Sequence, residues 1–393
     1  MRRIAVFGGS FDPIHREHVG LAKAAIRDLH LDKLLVMPAL APPHKQGKQL
    51  TPNEDRLAMC RLAFADVPEV EVSDYEMSQG GTSYTYLTCR YFRQQYPDAE
   101  IFWLVGTDML RDFPSWKNPE EILSYVTLAA CGRAESAGWV QRAQAEFYAR
   151  FQKKFVQFYY NGADVSSTKA RVFAGAGLPL NDLVGENVAA YIQEKGLYQI
   201  DGAKEALALE STARQQHSVR VAMLAAKRAV QLKLSERKAI AAALFHDCAK
   251  NLTTDSPYLK GFVMKKEWGE VPTAVWHQFA GAYVAETQFG VTDEEVLSAI
   301  SYHTSARPNM GELEKLIFLA DMIEEERHYQ GVDEIRALFW KKDGLDACLE
   351  EALRQTLEFL KEKNQVIYPL TQAAYEDVAR KNGTEVSDGR SNQ

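Results

Sequence analysis

The sequence predicts an α/β domain with a doubly wound, Rossmann-like parallel sheet, followed by an all-α domain. Short apolar runs alternate with stretches of helical spacing through the first half, and a glycine pair follows the first run. Beyond about residue 200, amphipathic helical patterns dominate and strand signals nearly vanish. A chain of 393 residues is also long for one domain. We therefore expect one domain over 1–199, a second over 200–380 and a disordered polar tail over 381–393.

The first half opens as a strand, a glycine loop and a helix. Residues 3–7 are apolar and β-prone, Gly8 and Gly9 follow, and apolar residues recur at helical spacing over 19–29. The alternation then continues, with strand patterns over 33–39, 70–76, 99–106 and 126–132 and helical patterns over 56–66, 84–97 and 134–155. Strands that alternate with helices predict a parallel sheet covered on both faces.

Composition and charge exclude several classes of protein. The formal net charge of −7 argues against a nucleic-acid binder held by a basic surface. The five cysteines contain no CxxC pair, which suits a reducing compartment and predicts a cytoplasmic protein. No stretch reaches the roughly 18 apolar residues that a membrane span needs. The oligomeric state stays open, and a homo-oligomer is compatible with the sequence.

Two histidines begin the first predicted helix. His15 and His18 lie about one turn apart, directly after the Gly8-Gly9 loop. In a βαβ unit this loop lies at the carboxyl edge of the sheet, where helix N–H groups and the helix dipole attract phosphate. Imidazoles add hydrogen-bond donors. Taken alone, the stretch also allows a metal site, or a glycine turn with two solvated histidines.

A second helix start favours the phosphate interpretation. Ser166, Ser167 and Thr168 stand where they would cap a helix, and Arg171 lies in its first turn. By itself such a pattern is more often an ordinary cap. Further candidate groups follow two other strands: Lys45, Gly106, Asp108 and Trp116.

The second half holds a set of histidines and aspartates within apolar helical stretches: His217, His246, Asp247, His277, His303 and Asp321. A single buried histidine is usually an ordinary core residue. The adjacent His246-Asp247 pair is harder to explain in that way, since an unpaired buried carboxylate is costly. If the six converge, they would hold two metal ions, with iron expected and manganese or zinc as alternatives. Asp247 would bridge the metals, and Lys250 and Arg307 would hold phosphates.

The first half resembles a known family. The motif "GGSFDPIHREH", which includes Gly8, Gly9, Ser10 and Phe11, is similar to the nucleotidyltransferase signature, and "VSSTKAR" is similar to its distal partner. Together with "PPHK", "SYTYLT", "VGTDML" and "YIQEKGLY", the pattern resembles bacterial nicotinate mononucleotide adenylyltransferases over 1–199.

This resemblance implies transfer of AMP from ATP, with Mg²⁺ on the triphosphate, to nicotinate mononucleotide in NAD biosynthesis. It also implies that Thr85, Trp116 and Arg133 face the nicotinate mononucleotide and that Asp108 lies on the adenosine side. Nicotinamide mononucleotide and phosphopantetheine are alternative acceptors. The family usually has glycine where this chain has Glu17, so we expect E17G to keep turnover and to lower the KM for ATP.

The second half resembles the HD phosphohydrolase superfamily. The order H…HD…H…H…D, with "HDCAK", "YHTS" and "LADMIEEER", is similar to symmetrical diadenosine tetraphosphate hydrolases over about 207–380. The resemblance implies cleavage of diadenosine tetraphosphate to two ADP. The family commonly has glycine where this chain has Gln278, and it often has Thr-Gly where this chain has Ser305-Ala306. A broad nucleotide phosphohydrolase and a nucleotide-binding regulatory module are the alternatives.

Overall fold

The computed structural model describes residues 1–40, 50–80, 83–132, 137–342 and 344–384, with the backbone alone for 137–139. The chain forms two compact units. The first comprises Met1–Ala170 and Pro179–Leu197, and the second comprises Arg171–Leu178 and the chain from Tyr198 onward. Each unit has its own apolar core.

A six-stranded sheet forms the centre of the first unit. Its strands are β1 (Arg3–Gly9), β2 (Lys33–Pro38), β3 (Val70–Val72), β4 (Glu100–Gly106), β5 (Thr127–Gly132) and β6 (Val156–Tyr159). The order is β3-β2-β1-β4-β5-β6, and every neighbouring pair is parallel. This is the doubly wound order that the sequence predicts. The strand order reverses at the topological switch point between β1 and β4. Ligands of such sheets bind at the carboxyl ends beside that switch.

Helices surround this sheet: α1 (Arg16–Asp28), α2 (Asn53–Ala63), α3 (Tyr75–Gln79), α4 (Thr85–Gln95), α5 (Thr107–Asp112), α6 (Pro119–Tyr125), α7 (Ala137–Phe151), α9 (Asn181–Val184) and α10 (Glu186–Lys195). Helix α8 (Ser167–Gly175) contributes residues to both units. Ile4 and Ala5 of β1 point to opposite faces of the sheet, and both are fully buried because both faces are covered. The sequence pattern missed β6, which directly follows the stretch predicted as helical over 134–155.

The described helices of the second unit confirm its predicted all-α character: α11 (Ala203–Leu207), α12 (Thr212–Gln231), α13 (Glu236–Phe245), α14 (Thr273–Phe289), α15 (Glu294–Ser301), α16 (Glu312–Ile323), α17 (Val332–Phe339), α18 (Asp346–Glu362) and α19 (Pro369–Asn382). Helices α12 and α13 pack against each other, and both contain fully buried alanines such as Ala225 and Ala242. Within the described part of the chain, no helix is both long enough and apolar enough to cross a bilayer.

Serine caps fix where these two helices begin. The side chain of Ser211 accepts from the backbone N–H of Arg214, and that of Ser235 accepts from Lys238. Helix α19 extends to Asn382, inside the segment predicted as a tail, and 385–393 lie outside the described residues.

Candidate active sites

The glycine pair forms the end of β1 rather than the loop after it, and the close approach of the following loop requires glycine there. A Cβ on Gly9 would lie 2.9 Å from the ring of Phe11, so only glycine lets that ring fold back over the loop. Phe11 is buried with a φ of 45°, and its ring meets the ring of His18 edge-on at 5.0 Å between centroids. The loop thus fixes the orientation of His18 at the start of α1.

His15 and His18 form a stacked pair at the N-terminus of α1. Their ring centroids are 3.6 Å apart, and the backbone N–H of His15 donates to His18 Nδ1 at 3.2 Å. Because Nδ1 accepts this bond, the neutral imidazole of His18 carries its proton on Nε2. The helix start therefore presents a fixed N–H donor beside backbone N–H groups, an arrangement that suits an anion.

Arg56 holds this loop in place, and sequence reasoning missed it. The side chain is fully buried in α2. Its guanidinium donates to the carbonyls of Ser10 and Ala39 at 2.8 Å each, to the Thr51 carbonyl at 3.1 Å and to Asn53 Oδ1 at 2.6 Å. It therefore joins the loop after β1 to the end of β2. The only signal in the sequence is a charged residue at an inward position of a helix.

Helix α5 begins directly after β4, at the same edge of the sheet. Gly106 precedes α5, and a Cβ there would lie 2.7 Å from Asp108 Oδ1, so the Asp108 carboxylate folds back over this glycine. Trp116 is half-buried, and its ring centroid lies 5.3 Å from that of Phe113 at the margin of the core. Thr85 begins α4 and is half-buried.

The structure brings together the two motifs that the sequence separates. Ser167 begins α8, and its Oγ donates to the carbonyl of Pro13 at 2.9 Å, across 154 positions of sequence. Ser166 Oγ accepts from the N–H of Lys169 at 3.2 Å as a helix cap. Thr168 lies in the same first turn. The starts of α1 and α8 therefore lie at one place in the first unit.

Arg171 lies one turn further along α8, within the second unit. Its Nε donates to Glu236 Oε1 at 2.9 Å, and the side chain is almost completely buried. A role for this guanidinium toward phosphate stays a prediction. Lys45 and Arg133 lie outside the described residues.

Glu17 turns toward the loop after β6. A Cβ on Gly162 would overlap Glu17 Oε2, and a Cβ on Gly20 would overlap the hydroxyl of Tyr160. Burial, and then the neighbouring Glu17 carboxylate, raise the pKa of Tyr160. The two glycines thus make room for a contact between Glu17 and Tyr160.

In the second unit the six predicted ligands converge: His217 of α12, His246 and Asp247 after α13, His277 of α14, His303 after α15 and Asp321 of α16. Asp247 lies between the imidazoles. Its Oδ1 is 3.3 Å from His277 Nε2 and 3.5 Å from His303 Nε2, while its Oδ2 is 3.4 Å from His246 Nε2. The two oxygens of one carboxylate therefore face two separate groups of imidazoles.

His217 and Asp321 lie with His246 on the Oδ2 side of Asp247. His217 Nε2 lies 2.8 Å from Asp321 Oδ1 and 4.0 Å from Asp247 Oδ2. In His217 and His246, the other ring nitrogen, Nδ1, contacts a group outside the cluster. His217 Nδ1 contacts Glu324 Oε1 at 3.1 Å, and His246 Nδ1 contacts the Ala243 carbonyl at 2.6 Å. These partners aim each Nε2 inward, as in protein metal sites.

The donor set fits divalent metal ions. Within the described residues, His246 Nε2 is a buried atom that makes no hydrogen bond, which is unusual for a polar group. Burial lowers the pKa of His246 and of His277 to about 4, so both imidazoles are neutral at neutral pH. Burial opposes ionisation of Asp247, but the surrounding imidazoles hold its pKa well below the usual range. Neutral imidazoles around a carboxylate are typical ligands of transition metals.

Three cations surround this cluster, and the sequence analysis named only one of them. Arg214 Nη1 lies 2.6 Å from Asp247 Oδ2, Arg327 Nη2 lies 2.7 Å from Asp321 Oδ1, and Lys250 Nζ lies 3.0 Å from His277 Nε2. Arg214 precedes His217 by one helical turn, which is the signal that could have found it. Arg307, predicted as a phosphate ligand, pairs with Glu314 at 2.9 Å.

Two family models match the chain. A cytidylyltransferase-like model matches residues 6–173, which include both motifs of the first unit, and an HD domain model matches 214–326, which include all six predicted ligands. A protein of Mycoplasma pneumoniae, named probable nicotinate-nucleotide adenylyltransferase/Ap4A hydrolase, is 30% identical over 91% of this chain and 98% of its own. The chain belongs to this nicotinate-nucleotide adenylyltransferase/Ap4A hydrolase family. Both resemblances inferred from the sequence are confirmed.

Other proteins are similar to the separate halves. A protein of Albidiferax ferrireducens, named probable nicotinate-nucleotide adenylyltransferase, is 40% identical over 51% of this chain and 99% of its own. A crystal structure of a predicted HD superfamily hydrolase involved in NAD metabolism, from Clostridium acetobutylicum, is 30% identical, covers 46% of this chain and 95% of its own, and has a TM-score of 0.41.

Proposed function

We propose that this member of the family is a bifunctional enzyme. The first unit transfers AMP from ATP to nicotinate mononucleotide and releases pyrophosphate, in NAD biosynthesis. The second unit hydrolyses diadenosine tetraphosphate symmetrically to two ADP. The hydrogen bond from Ser167 to the Pro13 carbonyl is the main support for the first activity, because it joins two phosphate-binding motifs. The position of Asp247 between two groups of imidazoles is the main support for the second.

Adenylyl transfer needs alignment and charge stabilisation rather than a nucleophile of the protein. The phosphate of nicotinate mononucleotide attacks the α-phosphorus of ATP, the bond to the β-phosphate oxygen breaks, and pyrophosphate leaves. Mg²⁺ on the triphosphate supplies neutralising charge when bound. His18 Nε2–H and the helix starts at His15 and Ser167 donate to the phosphate oxygens.

The substrate groups divide along the carboxyl edge of the sheet. Asp108, folded over Gly106 beside the switch point, lies on the adenosine side. Thr85 and Trp116 face the pyridine ring, with the indole as a stacking partner. We retain Lys45, Arg133 and Arg171 as phosphate and acceptor contacts on the strength of the family pattern. Comparing rates with nicotinate mononucleotide, nicotinamide mononucleotide and phosphopantetheine tests the choice of acceptor.

In the second unit, the ligands on the two sides of the Asp247 carboxylate, Oδ1 and Oδ2, would hold two metal ions. His217, His246 and Asp321 would complete one, and His277 and His303 would complete the other, with iron as the expected metal and manganese or zinc as alternatives. Bound metals supply activation of water and neutralisation of phosphate charge. Arg214, Lys250 and Arg327 place cations around the cluster, where they hold the polyphosphate and stabilise the departing ADP.

A product assay on the whole protein, supplied with Mn²⁺ and Mg²⁺, tests both halves. We expect H18A to lower pyrophosphate release and D247N to lower ADP formation, each by about 100-fold or more. H30A and H328A, which remove exposed histidines, are the matched controls. A wild-type protein that forms neither pyrophosphate nor ADP would refute the proposal. Phosphate as the main product would identify a broad phosphohydrolase, and a D247N effect on adenylyl transfer alone would identify a regulatory module.

The cysteines support a cytoplasmic setting for this enzyme. All five are buried thiols, which a reducing compartment preserves.

A further inference from the structure

The two departures from the family pattern in the second unit contact one another. Gln278 follows His277 in α14, and Ser305 and Ala306 follow His303 after α15. Gln278 Nε2 donates to Ser305 Oγ at 2.8 Å, and its Oε1 accepts from the backbone N–H groups of Thr304 at 3.1 Å and Ser305 at 3.0 Å. One buried amide therefore holds three groups of the neighbouring loop.

This loop is one that favours glycine. Ala306 has a φ of 58°, in the left-handed region where a Cβ is unfavourable. Gln278, Ser305 and Ala306 are all fully buried. The strained residue is held by two further contacts, because Ser305 Oγ donates to the Ala306 carbonyl at 2.9 Å and the Ala306 N–H donates to Tyr302 at 3.0 Å. The amide of Gln278 thus stabilises a turn that this sequence makes without glycine.

The same loop positions two of the predicted metal ligands. His303 Nδ1 contacts the Ile300 carbonyl at 2.8 Å, and Thr304 Oγ1 contacts His277 Nε2 at 3.1 Å. His277 and His303 approach to 3.2 Å between their Nε2 atoms, and both face Asp247 Oδ1. A shift of the loop would therefore move His303 and would also change the surroundings of His277.

We propose that Gln278 is a positioning residue that fixes the spacing of His277 and His303 and so determines the affinity of the metal position they share. Gln278 follows the ligand His277 in sequence, and its side chain holds the loop that follows the ligand His303. This inference rests on the proposed metal site of the second unit. Gln278, Ser305 and Ala306 would then serve one function: the Gln278 amide stabilises the turn that Ser305 and Ala306 form.

Binding of Mn²⁺ alone, followed by electron paramagnetic resonance on the whole protein, tests this role without relying on hydrolysis. We expect Q278A to weaken the affinity of one of the two Mn²⁺ positions by about 10–100-fold, the range typical of partners that orient metal ligands. Q288A, an exposed glutamine in the same helix, is the matched control and should bind Mn²⁺ as the wild type does. The thermal unfolding transition of the second unit, which contains Gln278, reports whether Q278A is folded there.

A second substitution separates positioning from simple loss of packing. In Q278A/A306G, glycine removes the cost of the positive φ, so the loop regains its conformation and we expect much of the Mn²⁺ affinity to return. Unchanged Mn²⁺ affinity in Q278A would overturn the proposal. So would a loss in Q278A that A306G does not reduce at all. If the wild type binds Mn²⁺ with these properties but does not cleave diadenosine tetraphosphate, only the proposed substrate fails.

Discussion

At the scale of single residues, both candidate sites contain side chains that are held by residues far away in the sequence: Glu324 contacts His217 Nδ1, and Arg56 binds the Ser10 carbonyl. The six ligands were found because histidine and aspartate within apolar helices are costly unless they have a function. Glu324 and Arg56 were missed. Their partners lie more than 40 positions away in sequence, so only the folded chain brings them together.

Glu17 is where the structure adds most to an expectation from sequence. The sequence predicts a lower KM for ATP in E17G, because a carboxylate beside a triphosphate repels it. The contact with Tyr160 and the position against Gly162 add that the side chain also packs. We expect E17Q to lower the KM while keeping the packing. E17G should do the same but should also lose about 1 kcal/mol of stability, because glycine is unfavourable within a helix.

Steady-state kinetics with varied ATP, together with thermal unfolding, measure the two effects separately. E120Q, which neutralises an exposed carboxylate in the first turn of α6, controls for a general change of charge. An unchanged KM in E17Q would show that the carboxylate does not act on the triphosphate. A large fall in turnover would show instead that it takes part in the reaction.

At the scale of elements, periodicity predicted the first five strands, including β3 with three residues, and the long helices. It did not separate out strand β6 or helix α9, which have four residues each. The order of the strands was predictable as a class, since alternating strands and helices form parallel sheets. The meeting of the starts of α1 and α8 was predictable only through the family motif, because no local pattern places Ser167 beside Pro13.

Arg56 of α2 links the loop after β1 to the end of β2 through its bonds to the Ser10 and Ala39 carbonyls. Its removal would leave the half-buried Ser10 carbonyl and the buried Ala39 carbonyl without this donor, at a cost of about 1–3 kcal/mol each. We therefore expect R56M to lower the free energy of unfolding of the first unit by about 3–5 kcal/mol. The KM for ATP should rise in the protein that remains folded, because the loop beside the phosphates shifts.

Urea unfolding and ATP kinetics measure these effects. R56K should recover little, because an ammonium cannot reproduce the planar set of donors that reaches several carbonyls at once. R61M, an exposed arginine in the same helix, is the matched control. Wild-type stability and KM in R56M would show that the loop is held by other contacts.

At the scale of the whole molecule, two units with separate cores are joined in one chain. Val221, Ala242 and Leu316 belong to the core of the second unit, and Ile4 and Trp103 belong to that of the first. The helical unit contains all six predicted metal ligands. A metal that binds there stabilises the folded form of that unit, because the unfolded chain has no preformed site.

Metal removal should therefore act on one unit more than on the other. Bound Mn²⁺ at 100 times its dissociation constant contributes about 2.7 kcal/mol per site, which corresponds to a rise of roughly 5–10 °C in the melting temperature of a unit of this size. Differential scanning calorimetry, with and without a chelator, should show this rise in the transition of the helical unit. H246A lacks one ligand, so its transition should respond much less to Mn²⁺. Addition of ATP and Mg²⁺ should instead raise the transition of the α/β unit. A transition of the helical unit that ignores Mn²⁺ in the wild type would contradict the assignment of the cluster as a metal site.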